Sequence, residues 1–399
     1  MTKIVIFAQN YPPEKTGGAS RLWDMTYHIQ KAGAEITVVC PHPTFPFGNF
    51  TRISKRKMES DREGIHIVNL WAWQPQSDSP AVFEKLLYYL TYPFHATFWL
   101  LANYKKYDVI ITSNPPLFVH IPGFVVRCLH KIKWIVEFRD LWVDASIDLG
   151  FLKEGSFNEK ISRAFQTRCL KMADLIAVTT NEMGRRLVTD ENLKDKLILL
   201  PNGVDPEVFK PVPFEEKVNQ LIFAGNIGYA QDLETVIRSL KIINQKHPIV
   251  LNLVGSGEIV EHLHEVAREE GVDDLVLFTG LVEREEVPSL VAHAKLVVAP
   301  LKDFPALEYA APIKTYEAMA CGTPFVACGK GEIAELAEVS GAGVIAQNTP
   351  ESFSETVIAL LDNPEKMQEM ARSGRAHVEE YYSRKEIALK LLKEAEGLL

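Results

Sequence analysis

Short apolar, β-branched runs alternate with helix-length segments along the whole chain, and that alternation leaves few folds open. In the first half the runs are Lys3–Ala8, Glu35–Cys40, Ile65–Leu70, Asp108–Ser113, Lys133–Phe138, Asp174–Thr179 and Leu197–Leu200. In the second they are Gln220–Gly225, Ile249–Gly255, Leu275–Gly280, Lys295–Pro300, Pro324–Ala327 and Gly343–Ala346. A strand that is apolar on both faces needs cover on both sides, and a helix between consecutive strands supplies it while making them parallel. The expected class is therefore α/β, with two doubly wound, Rossmann-like domains facing each other across a cleft. The 399 residues suffice for two such cores.

The change of domain is expected in PNGVDPEVFKPVPFEEK, where four prolines and a glycine separate the last run of one half from the first of the next. That divides the chain into residues 1–205, 206–375 and a final helical segment, 376–399, that crosses back to the first domain. Ligands of open α/β sheets bind at the carboxyl ends of the strands, so the site is expected there.

The stretch AAPIKTYEAMACGTP, ending at Pro324, places Lys314 and Glu317 three residues apart on the first turn of a helix that is small and apolar on its other side. A helix start offers unpaired N–H groups and the positive end of the dipole to an anion. The amides around Ile313 and Lys314, with the lysine charge, are candidates to hold a diphosphate, and Glu317 to accept from the hydroxyls of a ribose. On a solvated helix the same pair would be a surface contact of about 0.2–0.5 kcal/mol. Between apolar strands, an unpaired charge would cost several times that.

Other glycines follow strands. Gly17-Gly18 precedes an amphipathic helix, where backbone can approach a phosphate closely. Gly255 and Gly257 in VGSGE also open a helix after a strand, without the third glycine of the dinucleotide fingerprint. In WIVEFRDLW, Glu137, Arg139 and Asp140 cluster at a strand's carboxyl end, where they either face a ligand or form an internal ion pair. Asn114-Pro115-Pro116 shapes a loop at the same rim. No D-x-D pair occurs, so a leaving diphosphate is expected to be neutralised by helix dipoles and lysine, with no metal ion and no cofactor.

Charge is divided unevenly. Residues 1–200 hold 25 Lys+Arg against 20 Asp+Glu, a net of +5, which leaves 18 against 32, a net of −14, for the remainder. The first half is the one suited to an anionic surface. Its basic residues are scattered and no nucleic-acid module is present, which argues against a nucleic-acid partner. Five cysteines without a C-x-x-C pair fit a reducing compartment, and MTKIVIFAQ lacks the features of a signal peptide, so a cytoplasmic location is expected.

Between Leu86 and Tyr104, nineteen residues carry no formal charge and seven are aromatic. Pro93 interrupts the run, which is also broken by Thr91, His95 and Asn103, and this argues against a membrane span. Leu87, Leu90, Phe94 and Leu101 share one helical face. Two roles remain open: a peripheral membrane contact through 81–104, aided by the basic loop 52–57, or a helix buried in the core.

With these parts together, the sequence resembles a glycosyltransferase of the GT-B fold, in the large retaining family 4, over nearly its whole length. The resemblance is carried by Gly17-Gly18, by NGVD at Asn202–Asp205, by AGNIG at Ala224–Gly228 and by EAMACGTP. It implies transfer of a hexose or amino-hexose from a nucleotide-diphosphate sugar to a lipid-linked glycan acceptor, with Gly17, Gly18 and Asn226 among the groups that hold the diphosphate and Gly225, Gly255 and Gly257 near the nucleotide. Of the family's two glutamates eight residues apart, Glu317 matches the second, while the first falls on Tyr309 with Glu308 beside it. These two stand where the donor sugar is contacted. The Arg and Lys that grip the diphosphate in relatives fall near Asn226 and Gln231, both neutral, and Lys314 is the available substitute. Arg139 and Asp140 stand where many relatives carry His-Asp, and take the catalytic positions by that correspondence. EFRDLW and PIK make the chain similar to the subgroup that builds surface polysaccharides, including N-acetyl-fucosamine transferases. Two other functions fit the same fold: a nucleotide-sugar 2-epimerase, or a non-catalytic nucleotide-binding protein.

Overall fold

The computed structural model of the protein describes every residue except Lys15, Ser79, Leu149 and Phe151. Within it the chain forms two compact units, Met1–Pro201 with Arg384–Leu399, and Asn202–Ser383. The chain thus leaves the first unit a few residues before the expected boundary. It re-enters at Arg384, so the helix Pro364–Tyr381 stays with the second unit and only Arg384–Gly397 returns.

The first unit holds eight strands: β1 (Lys3–Ala8), β2 (Glu35–Pro41), β3 (Lys57–Arg62), β4 (Ile65–Leu70), β5 (Val109–Ser113), β6 (Lys133–Phe138), β7 (Leu175–Val178) and β8 (Leu197–Leu199). Their order is β3-β4-β2-β1-β5-β6-β7-β8, parallel except at the β3 edge. The second unit holds β9 (Val218–Ala224), β10 (Val250–Val254), β11 (Val276–Gly280), β12 (Ala294–Pro300), β13 (Phe325–Cys328) and β14 (Gly343–Ala346). Their order, β11-β10-β9-β12-β13-β14, is parallel throughout and reverses direction between β9 and β12, the topological switch point of a doubly wound sheet. In the first sheet the reversal lies between β1 and β5.

Both sheets bury both faces. Ile4, Ile6, Val38, Ile111 and Ile135 form one core with Ile387, Leu391 and Leu392 of the helix Arg384–Gly397, which packs on helix α1 (Gly17–Lys31). Buried Arg384 there meets buried Asp24 of α1 at 2.5 Å. In the second unit Leu221, Leu251 and Val298 face one layer of helices, while Ile222, Val297 and Ala299 face the other.

Two sequence expectations need correction. The basic loop expected over 52–57 ends one residue sooner, because Lys57 opens β3, which pairs antiparallel with β4. All six residues of β3 are exposed, so KMESDR carries no apolar alternation to announce it, and its charges suit an unpaired sheet edge. The hairpin turns through Glu63 and Gly64, both at positive φ, which matches strand twist. Pro93 does not interrupt its helix: α2 runs unbroken from Val82 to Asn103. Tyr88, Tyr92, Pro93, Ala96 and Leu100 anchor α2 on its buried face, and that packing outweighs the one N–H the proline removes.

Candidate active site

In the second unit the loops that leave β9 and β10 lie against each other. Gly225 N–H donates to Val254 O at 2.9 Å, Ile227 N–H to Ser256 O at 2.9 Å, and Gly255 N–H to Gly280 O at 2.8 Å. Gly225 and Gly255 both adopt positive φ, 142° and 136°. A Cβ on Gly255 would overlap Gly225 O, and one on Gly257 would overlap Ile227 O. Glycine is therefore required at 255 and 257 by backbone meeting backbone, which explains the G-S-G spacing without a phosphate. Gly255→Ala is expected to lower the stability of the second unit by at least about 2 kcal/mol, since both overpacking and backbone strain oppose it. Urea unfolding with a melt within about 0.5 kcal/mol of wild type would refute that account.

Gly225 has a second neighbour. A Cβ there would stand in ordinary contact with Lys314 Cε, at 3.6 Å, so it is the positive φ rather than the lysine that calls for glycine. Lys314 Nζ sits 4.0 Å over the Phe223 ring and donates to Gln231 Oε1 at 3.1 Å. Gln231 is itself fixed, its N–H donating to Gly228 O and its backbone bridged to Leu301 beyond β12. Desolvation brings the Lys314 ammonium down to about 7, with Glu317 pulling weakly the other way. A half-buried cation whose proton is held this loosely gains from any anion brought to it.

The lysine stands on the helix Ile313–Ala320, whose N-cap is Pro312 and provides no side-chain acceptor. Thr315, Tyr316, Ala318, Met319 and Ala320 are buried, as its small-residue face requires, and Ile313 and Glu317 are half-buried. Asn202 of the NGVD motif donates to Ala311 O at 3.3 Å, immediately before the helix. At the other end Arg375 donates to Ala320 O and to Phe209 O, each at 2.7 Å, a cation at the negative end of the dipole. Neither Asn202 nor Arg375 was assigned a site role by sequence. Their spacings from the helix, about a hundred residues for one and 55 for the other, leave no local signal.

Asn226 lies in the β9 loop and is exposed; its amide would meet a Cβ placed on Gly228. Tyr309 is buried, and Glu308 is half-buried with its carbonyl accepting from Glu332 N–H at 2.8 Å. Gly331 packs against that same carbonyl, where a Cβ would overlap it.

The first unit gathers a different cluster. Thr16 caps α1 by accepting from Ala19 N–H at 3.0 Å, so Gly17 and Gly18 form its first turn. Arg139, just past β6, donates through Nη1 to Gly18 O at 3.2 Å and through Nε to Asn114 O at 2.7 Å. Asn114 answers by accepting from Arg139 N–H at 2.7 Å and donating to Asp140 O at 3.2 Å. A Cβ on Gly18 would approach Arg139 Nη1 to 2.9 Å. Behind them Glu137 pairs with Arg21 at 2.8 Å and accepts from Ser113 at 2.5 Å. Burial lowers the Arg139 pKa to about 10 and would raise that of Glu137, but Arg21 and Arg139 hold Glu137 below its ordinary value. Arg139 thus brackets the glycine turn and the Asn114 loop, while Asp140 is half-buried beside it.

Two family models cover this architecture, a glycosyl transferase 4-like domain at residues 16–203 and the glycosyl transferases group 1 at residues 204–377. The chain belongs to the GT-B glycosyltransferases of family 4. The transferase is 24% identical over 312 residues to WcaI of Escherichia coli, named as a candidate colanic acid biosynthesis glycosyl transferase, covering 72% of this chain and 74% of that one. Among solved structures, sucrose-phosphate synthase from Thermosynechococcus elongatus aligns with a TM-score of 0.78 at 18% identity over 100% of this chain and 99% of its own. HepE of Anabaena, in complex with UDP and glucose, aligns with a TM-score of 0.69 at 16% identity over 99% and 100%. At those identities the likeness establishes the GT-B fold.

Proposed function

We propose that the transferase moves a hexose or amino-hexose from a nucleotide-diphosphate sugar onto a lipid-linked glycan in surface-polysaccharide synthesis, with retention of configuration. The observation that carries this is Lys314: a desolvated ammonium over Phe223, beside Gln231, at a helix start with no side-chain cap. Gln231 occupies a position where relatives place a cation, and Lys314 reaches that position from the neighbouring helix. The colanic acid relative supports a polysaccharide product.

The second unit carries the donor. Lys314 and the amides of Ile313 and Lys314 receive the diphosphate, Glu317 accepts from the ribose, and Asn226 with Gly225 line the approach. Glu308 and Tyr309 lie nearest the sugar. In the first unit Asp140 and the α1 turn at Gly17-Gly18 act on the acceptor side, with Arg139 fixing that turn. The acceptor hydroxyl oxygen attacks the anomeric carbon on the face from which the diphosphate departs. The anomeric C–O bond breaks with its electron pair going to the leaving phosphate oxygen, which takes the hydroxyl proton. Stabilisation of that leaving charge falls to Lys314 and the helix start, without a metal ion or cofactor.

A thermal-shift panel of nucleotide-sugars identifies the donor, and the anomeric configuration of the product by NMR tests retention. Glu317→Ala is expected to weaken nucleotide binding by about 1.5–3 kcal/mol, the worth of hydrogen bonds to a charged acceptor. An inverted product would refute the mechanism. An epimerised sugar formed without acceptor would refute transfer itself.

A further inference from the structure

We propose that α2 seats the transferase on an anionic bilayer surface through an outward apolar stripe, independently of which sugar is moved. Val82, Phe83, Leu86, Leu90, Phe94 and Phe98 are all exposed, Val82 at 69% and both Phe94 and Phe98 at 59%. At 3.6 residues per turn they occupy roughly half of the helix circumference, with the buried Tyr88, Tyr92 and Ala96 on the other half. Such a contiguous patch marks an interaction site on a soluble protein surface. No helix among the described residues is long and apolar enough to cross a membrane, so the stripe lies on a surface.

Three polar side chains of the helix bond back to its own carbonyls. Thr97 donates to Pro93 O, Thr91 to Leu87 O and Asn103 to Trp99 O, each at 2.7 Å. A helix so equipped loses little when water is removed from its outer face.

Charge selects the occupant. Lys105 and Lys106 stand at one end of α2 and Lys85 near the other, while its single acid, Glu84, is turned back to accept from Ala81 N–H. Arg52 lies over the Trp73 ring at 4.6 Å, beside the strand-to-helix connection, and Lys55 and Arg56 are exposed next to it. Trp71, whose N–H donates to Arg56 O, packs its ring against His95 in the middle of α2. Burial, and then the Arg56 charge, hold that imidazole below its ordinary pKa. The stripe is therefore rimmed by cations at both ends and beside its centre. Two copies joined along α2 about a two-fold axis would bring those cations together. An anionic headgroup layer meets them with the opposite charge.

The inner face of α2 ties the stripe to the first sheet. Tyr92 donates to Val39 O at 2.6 Å, Tyr88 packs on Phe47, and Thr91 accepts from Trp73 N–H at 2.8 Å. The loops after β2 and β4, at the carboxyl edge of that sheet, are thus held by the docking helix. A lipid-anchored acceptor would reach that edge from the same surface.

Flotation of the purified full chain with vesicles tests this. Wild type is expected to float with mixed phosphatidylglycerol–phosphatidylcholine vesicles and not with phosphatidylcholine alone. Phe94→Asp/Phe98→Asp should abolish flotation, and Lys55→Glu/Arg56→Glu should lower partitioning at least about tenfold. Far-UV circular dichroism and an unchanged nucleotide thermal shift confirm that the variants are folded, and failure of nucleotide binding in wild type would count against the donor site while leaving this surface untouched. Equal binding to both vesicles, flotation surviving in the Phe variant, or a wild-type dimer by light scattering that the Phe variant dissolves would each overturn the proposal.

Discussion

Lys314→Ala is expected to lower kcat/KM by about 10²- to 10³-fold, the usual loss when one donor to a developing oxyanion is removed. The loss should appear in nucleotide affinity as well as in turnover, because a diphosphate is already charged in the ground state. Stability of the nucleotide-free protein should not fall at neutral pH, since the lysine gains a ring and one amide oxygen but forfeits its hydration. The proton on Lys314 supplies a sharper measurement. Its pKa in the folded, unliganded protein lies near 7, against an ordinary 10.5. Between those values the unfolded chain holds a proton that the folded chain lacks, so this group makes stability rise with pH from about 7 to 10.5, and its full penalty applies below 7. A bound diphosphate raises the lysine pKa again. Nucleotide affinity should therefore be highest below pH 7 and fall by up to about tenfold per unit above it. Calorimetry at pH 8 in buffers of differing ionisation enthalpy should show proton uptake approaching one per nucleotide in wild type and markedly less in Lys314→Ala. Equal uptake in both would remove the lysine from the diphosphate.

Arg21→Met should cost about 3–5 kcal/mol in urea unfolding, the range for breaking a buried pair by removing one partner. Arg21 and Glu137 are almost fully enclosed, and Arg21 also donates to Leu200 O. After the substitution Glu137 keeps Ser113, and Arg139 is the nearest cation, but the Arg139 guanidinium is already directed to Gly18 O and Asn114 O. The wild-type carboxylate has a depressed pKa, so its contribution is complete above the ordinary 4.5 and disappears as pH falls through the lower folded value. In the variant burial dominates and raises it, so the defect should shrink as the carboxyl becomes protonated. Arg21→Met/Glu137→Leu should recover most of the stability, because no charge is then left in the interior. A single-variant loss under about 1 kcal/mol would show that the pair is not enclosed as described.

The thirteen strands that are apolar on at least one face were legible, because burial in a parallel sheet leaves its mark on each run separately. β3 was not, since an exposed edge strand selects for charge and turn chemistry. The helix at Lys314 was readable from its lysine, its small residues and its closing Gly-Thr-Pro, all within one short segment. What holds it was not: Gln231, Phe223, Asn202 and Arg375 come from distant segments and follow no local period. Glycine is ambiguous in its own way. At 255 and 257 it records a missing Cβ, and sequence cannot distinguish the carbonyl that demands it from a phosphate that would. Arg139 shows the same ambiguity for charge, as a cation at a strand's end serves a ligand or a neighbouring carbonyl equally well.

Because Ile387, Leu391 and Leu392 complete the core begun by Ile4 and Ile6, the second unit is an insertion within the first. On the ribosome the usual order of maturation is inverted: residues 202–383 emerge whole while the earlier-made sheet still lacks its last covering helix. Nascent chains of the transferase thus carry an unfinished amino-terminal half until residues 384–399 have been made, and that interval is when a chaperone would have the most apolar surface to hold.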